Sequence, residues 1–117
     1  MWEILTVELF DTWMLDLTQA EQVDVLTSIK LLEVHGPMLA RPYADSLEDT
    51  NKVNNLKELR IQHKGKPYRV FFAFDPKRRG VLLCGGDKTG DKRFYKKMIP
   101  IAEREFLSFL ASEKQNK

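Results

Sequence analysis

Residues 56–87 read LKELRIQHKGKPYRVFFAFDPKRRGVLLCGGD, and the fold turns on this stretch. Three runs rich in β-branched and aromatic residues, Leu56 to His63, Tyr68 to Asp75 and Val81 to Gly86, are separated by Lys64-Gly65-Lys66-Pro67 and by Pro76-Lys77-Arg78-Arg79-Gly80. Gly and Pro in such short separators are hairpin chemistry, so the runs are predicted to form an antiparallel meander. Alternation then assigns faces. In the first run Lys57, Leu59, Ile61 and His63 share one face and Leu56, Glu58, Arg60 and Gln62 the other. Leu59 and Ile61 mark the core, which turns Arg60 away from it. In the second run Tyr68, Val70, Phe72 and Phe74 form the apolar set, while Arg69 falls with Phe71, Ala73 and Asp75. Neighbouring strands therefore bring Arg60 and Arg69 onto one concave surface.

Upstream, Trp2 to Thr6 reads as a short strand running into a helix over Val7 to Leu17, where Phe10, Trp13, Met14 and Leu17 fall at i, i+3, i+4 and i+7. Thr18 with Glu21 three positions later is a capping-box signature. Val23, Leu26, Ile29 and Leu32 or Val34 continue a helical stripe as far as Gly36-Pro37, a sharp stop. Residues 37–55 read as an irregular, mobile connection with few groups to anchor it. Downstream, a loop over Gly85 to Gly90 leads to a helix over Arg93 to Ser112, with Phe94, Met98, Ile101, Phe106 or Leu107, and Leu110 at helical spacing and Pro100 kinking or delaying it. The predicted order is β-α-α-β-β-β-α, an α+β domain over 1–117 with a sheet of about four strands between an N-terminal helical hairpin and a C-terminal helix.

The 117 residues suffice for one domain, and 43% hydrophobic residues can fill one core. A net charge of +2 hides a split. Residues 1–51 carry ten acidic and two basic residues, whereas residues 52–97 carry fourteen basic and four acidic, and a basic segment of that kind points to a polyanionic partner. The single cysteine, Cys84, reads as core; it allows no internal disulfide and no thiol-based zinc site, which fits a reducing cytoplasm. No apolar run is long enough to span a membrane, and the N-terminus lacks a signal-peptide pattern.

Around the rim of the meander gather Arg60, Arg69, Lys88, Lys92, Arg93, Tyr95, Lys96 and Lys97. Guanidinium groups grip phosphates and aromatic rings stack splayed bases, the requirements of single-stranded RNA recognition. Cleaving an RNA phosphodiester further needs a base for the 2′-hydroxyl, charge stabilisation at phosphorus and a proton for the leaving oxygen. His35 at a helix stop and His63 on the core-facing set do not form the usual pair, leaving Lys, Arg, Tyr and carboxylates. Plain structural readings stand beside these: Lys77-Arg78-Arg79 as a solvated hairpin tip, Lys96-Lys97 as a helix's polar face, Arg60 and Arg69 paired with Glu58, and Tyr95 as packing. Gly85 to Gly90 lacks the order of a Walker loop.

Leu56 to Arg60, Tyr68 to Asp75 and Gly85 to Tyr95, in this order, resemble the phage-derived HigB branch of the RelE/ParE toxin superfamily. The resemblance implies a RelE-like fold and the toxin of a type II toxin-antitoxin system, a metal-independent endoribonuclease that needs no cofactor and cuts translated mRNA in the ribosomal A site. It places Arg60 and Arg69 as phosphate clamps, Lys88 as electrostatic stabiliser and Tyr95 as base stack or proton-transfer group, with Tyr68, Lys92, Arg93 and Lys96 as RNA contacts. The implied partners are a HigA-like helix-turn-helix antitoxin, through which alone operator DNA is bound, and the ribosome with its mRNA. The alternatives are a ParE-like DNA gyrase inhibitor and a non-catalytic ribosome- or RNA-binding module.

Overall fold

The computed structural model describes residues 1–115. The chain runs through β1 (Ile4–Thr6), α1 (Glu8–Leu15), α2 (Gln19–His35), a 3-10 turn (Gly36–Met38), β2 (Ala44–Ser46), β3 (Lys57–His63), β4 (Lys66–Phe74), β5 (Gly80–Asp87) and α3 (Phe94–Gln115). The five strands lie in the order β1-β5-β4-β3-β2. The meander is antiparallel as predicted, and β2 adds to it antiparallel, but β1 enters the far edge parallel to β5. The α+β expectation holds with a mixed sheet in place of an antiparallel one and five strands in place of about four. At three residues, β2 is too short to show a period-2 pattern.

Local chemistry explains the boundaries. Thr18 and Glu21 close the capping box from both sides, at 2.8 and 3.2 Å. Lys64 and Gly65 both take positive φ, 50° and 80°, so the first hairpin turns in two residues and Lys66 and Pro67 already belong to β4. The second closes on Asp75, whose carboxylate accepts the Arg79 backbone N–H at 2.8 Å and pairs with its side chain. Arg79 also meets Glu113 on α3, and Lys77 stands 3.7 Å from the same carboxylate, so most of this basic tip is tied into the fold. Among the described residues no helix is long and apolar enough to cross a membrane.

Each face of the sheet carries a core. Leu59, Ile61, Val70, Phe72 and Leu82 pack with Phe10, Val25 and Leu32 of α1 and α2, whereas Phe71, Ala73, Val81 and Leu83 pack with Phe94, Ile99, Ala102 and Phe106 of α3. The stripe of α2 that meets the sheet is thus Val25, Ile29 and Leu32. Val23, Leu26 and Val34, predicted on the core side, are exposed. The helix carries apolar residues all round, so periodicity alone selects either stripe.

Candidate functional site

Register brings the two predicted arginines together: Arg60 stands directly opposite Arg69, and Glu58 opposite Phe71, on the α3 face of the sheet. The pair Gly85-Gly86 lets helices approach from both sides. A Cβ at Gly86, which pairs with Arg69, would stand 2.9 Å from the Phe94 ring, and one at Gly85 would stand 2.5 Å from the Trp13 ring. The bare backbone at Gly86 seats the first turn of α3 on the strand and carries Tyr95 over the arginines.

Glu58 is the hub. Its Oε1 accepts the Tyr95 hydroxyl at 2.7 Å and lies 3.5 Å from Arg69 Nε, while its Oε2 accepts Arg60 Nη1 at 3.0 Å. Arg69 donates Nε to the Tyr95 oxygen at 3.3 Å and Nη1 to the Tyr68 carbonyl at 3.0 Å. Glu58 and Arg69 are both buried, and a buried carboxylate and guanidinium persist because each satisfies the other. Burial first, and then the hydrogen bond to Glu58, push the Tyr95 phenol above its ordinary range. It therefore stays protonated at neutral pH and donates to the carboxylate. The Lys88 ammonium lies 5.9 Å from the centre of the Tyr95 ring, a cation–π distance.

Over this cluster opens a cleft of about 620 Å³, a size that admits a nucleotide. Glu58, Arg60 and Tyr95 form its floor, Lys96 and Pro100 of α3 one wall, and residues 45–49 with Asn51 the other, which sets Asp45, Glu48 and Asp49 across from Lys96. Pro100 has no N–H, so the Lys96 carbonyl at that wall lacks its helical donor. The opposite wall lies in the connection predicted to be mobile, and the structure corrects that expectation. β2 pairs part of it with β3, and buried Glu103 of α3 accepts the backbone N–H groups of Asn51, Lys52 and Val53 at 2.9, 2.5 and 2.9 Å. Burial pushes the Glu103 carboxyl up, but the three amide donors outweigh it and hold it below the ordinary value.

Of the predicted site residues, Arg60, Tyr95 and Lys96 line the cleft. Arg69 is corrected from a surface clamp to a buried partner of Glu58 and Tyr95, because α3 covers it. Lys88 reaches the cluster from behind the Tyr95 ring, and Lys92 and Arg93 sit exposed in the turn before α3, outside the lining of the cleft. Tyr68, predicted to contact RNA, lies on the opposite face of the sheet, as its alternation with Val70 and Phe72 requires. Its hydroxyl donates to Glu21 of α2. His63 shares that face, with Nδ1 2.6 Å from Asp24, and takes no part in the cleft. The Cys84 thiol is buried and pushed up to about 12, which makes it inert.

Two residues escaped the sequence reading of the site. Strand alternation presents Glu58 as a counter-ion for Arg60 and Arg69, and a carboxylate between two strand arginines is also a proton acceptor. Glu103 left a faint signal, a carboxylate among Ile99, Ala102 and Phe106 on the apolar face of α3. Among the described residues no group of three or more His, Cys, Asp or Glu is placed to hold a metal ion.

Residues 12–107 match the sequence profile of the family described as phage derived protein Gp49-like. "Putative toxin HigB3" of Mycobacterium tuberculosis (strain ATCC 25618 / H37Rv) is 43% identical over 104 residues, 88% of this chain and 89% of that protein. "Putative toxin HigB2" of the same strain is 33% identical over 113 residues, 95% of this chain and 56% of that longer protein.

Proposed function

The chain belongs to the phage-derived Gp49-like family, a family of RelE/HigB-type toxins, and from that premise we propose that it is a metal-independent endoribonuclease that cuts mRNA on the ribosome. As a HigB-type toxin it acts opposite an antitoxin. The observation that carries the nuclease reading is the placement of the Glu58 carboxylate, on the floor of a nucleotide-sized cleft, between Arg60 and the protonated phenol of Tyr95.

Glu58 takes the proton of a substrate 2′-hydroxyl as that oxygen bonds to the adjacent phosphorus. Arg60 and Lys96 stabilise the charge gathering on the phosphoryl oxygens. The bond from phosphorus to the 5′-oxygen breaks, and Tyr95 gives its proton to the leaving alkoxide, which is a far stronger base than a phenolate even when that phenol is perturbed. The products are a 2′,3′-cyclic phosphate and a free 5′-hydroxyl. The 2.7 Å contact then returns the proton from Glu58 to the Tyr95 oxygen and resets the site. Arg69 positions both groups from below, and Lys88 steadies the transient phenolate from behind the ring.

The partners of this reading are the ribosome with its mRNA, in the cytoplasm, and a helix-turn-helix antitoxin that carries any operator binding. The test is induced expression of wild type, Glu58→Gln and Tyr95→Phe in a bacterial host, with mRNA 5′ ends mapped before and after induction. New 5′-hydroxyl ends inside translated messages, absent in both variants, are expected. Growth arrest with intact messages and stalled replication would replace this reading with gyrase inhibition. Ribosome binding without cleavage by any form would reduce it to a binding module.

A further inference from the structure

The walls of the cleft carry opposite charge. Arg60 on the floor and Lys96 on the α3 wall are cationic, whereas Asp45, Glu48 and Asp49 stand on the facing wall. Of these three carboxylates Asp45 is already satisfied. Register sets it directly opposite Glu58, its Oδ2 accepts Arg41 Nε at 2.8 Å and its Oδ1 accepts the Ser46 backbone N–H at 2.9 Å. Glu48 and Asp49 are exposed to the cleft and have no cation within ion-pair distance among the described residues.

This wall is fixed at both ends. β2 joins it to β3 on one side, and on the other the Glu103 carboxylate holds the backbone N–H groups of Asn51, Lys52 and Val53. Burying a carboxylate is unfavourable unless it is fully hydrogen-bonded, and here the burial fastens the segment that carries the two unpaired acids. Glu103 lies on the same helix as Tyr95 and Lys96, so α3 sets the span between the cationic wall and the acidic one.

A nucleotide has the matching polarity. Its phosphate is drawn to Arg60 and Lys96 and repelled by Glu48 and Asp49, so the base, its uncharged end, turns to the acidic wall. A carboxylate only accepts hydrogen bonds, and its two oxygens suit two parallel donors. Guanine alone presents such a pair, N1–H beside the N2 amino group on its Watson–Crick edge. Adenine and cytosine set one amino group beside a ring nitrogen that repels a carboxylate, and uracil sets its N3–H between two carbonyl oxygens. We infer that Glu48 and Asp49 are the base-reading wall of the cleft and select guanine at one fixed position beside the cut. The inference rests on the nuclease reading above, which supplies the RNA.

The test is a map of mRNA 5′ ends after induction of wild type, of Glu48→Gln/Asp49→Asn and, as a control of equal charge on the opposite face of the sheet, of Asp11→Asn/Asp16→Asn. Wild type is expected to place guanine at one position beside the cut about tenfold more often than translated messages offer it. The wall variant is expected to lose that excess, because an amide offers one acceptor where a carboxylate offers two, and the control to keep it. Wild-type cuts without a guanine excess overturn the inference and leave the nuclease reading standing. An excess that the wall variant keeps, or that the control loses as well, overturns it equally. So does a wall variant that keeps the wild-type base preference and cuts faster at every site, the mark of a wall that only repels the RNA backbone. The absence of any new 5′ end with wild type removes the nuclease reading itself, and the inference with it.

Discussion

Under the proposed mechanism Glu58 has two jobs that different substitutions separate. Glu58→Gln keeps the shape and a partner for Tyr95 but loses the base, so cleavage measured by 5′-end mapping is expected to fall roughly 10²- to 10⁴-fold. Glu58→Leu strands Arg69 in the interior without its carboxylate, and urea unfolding is expected to show a loss of about 3–5 kcal/mol. The double variant Glu58→Leu/Arg69→Met removes both charges together and is expected to regain most of that loss while remaining inactive. On the other face, the Tyr68 hydroxyl and the Thr18 cap hold the Glu21 carboxyl at about 2, below its ordinary 4.5. Its contribution to stability is present above pH 4.5 and disappears as pH falls through 2. Glu21 in turn pushes the Tyr68 phenol up to about 12, a contribution present below pH 10 and lost as pH rises through 12. Tyr68→Phe is expected to abolish the alkaline loss and to move the Glu21 titration upward towards 4.5, read by NMR of the side-chain carboxyl.

The seat of α3 on β5 is set by a missing side chain. Gly86→Val puts carbon where the Phe94 ring lies, and calorimetric melts are expected to report a loss of about 1–3 kcal/mol, with Tyr95 lifted off Glu58 and cleavage abolished. Glu103→Ala leaves three backbone donors of the cleft wall without their acceptor. Amide exchange at Asn51, Lys52 and Val53 is expected to accelerate strongly, at a cost of about 2–4 kcal/mol in global stability. The meander, both N-terminal helices and the pairing of Arg60 with Arg69 were legible because each rests on a local signal: period-2 alternation, a capping box, Gly and Pro at turns. What was not legible is non-local. β2 is recognised only by its partner β3. Nothing in residues 37–55 announces that a carboxylate some fifty positions later will pin them. The buried state of Arg69 depends on how closely α3 approaches, which Gly86 permits and no periodicity reveals.

Across the whole molecule, the basic residues gather in the meander and the approach to α3, while the acidic ones of the N-terminal half divide between the two-helix layer and the cleft wall, where Asp45, Glu48 and Asp49 stand. Binding to ribosomes is expected to weaken steeply with salt. Reversing Lys92 and Arg93, which sit outside the cleft, is expected to lower the log–log slope by about 1–2 without moving the position of the cut, measured by filter binding over a salt series and by end mapping. The sheet also imposes an order of assembly. β1 pairs with β5 alone, Ile4 beside Gly80, so the first strand of the chain finds its place only when the last one exists. A nascent chain still threaded in the ribosome that makes it holds α1 and α2 with no sheet to lie on, and Arg60 with no Tyr95 above it. The buried ion pair and the cleft above it are therefore late products of folding, completed only when β5 has paired and α3 has closed over the sheet.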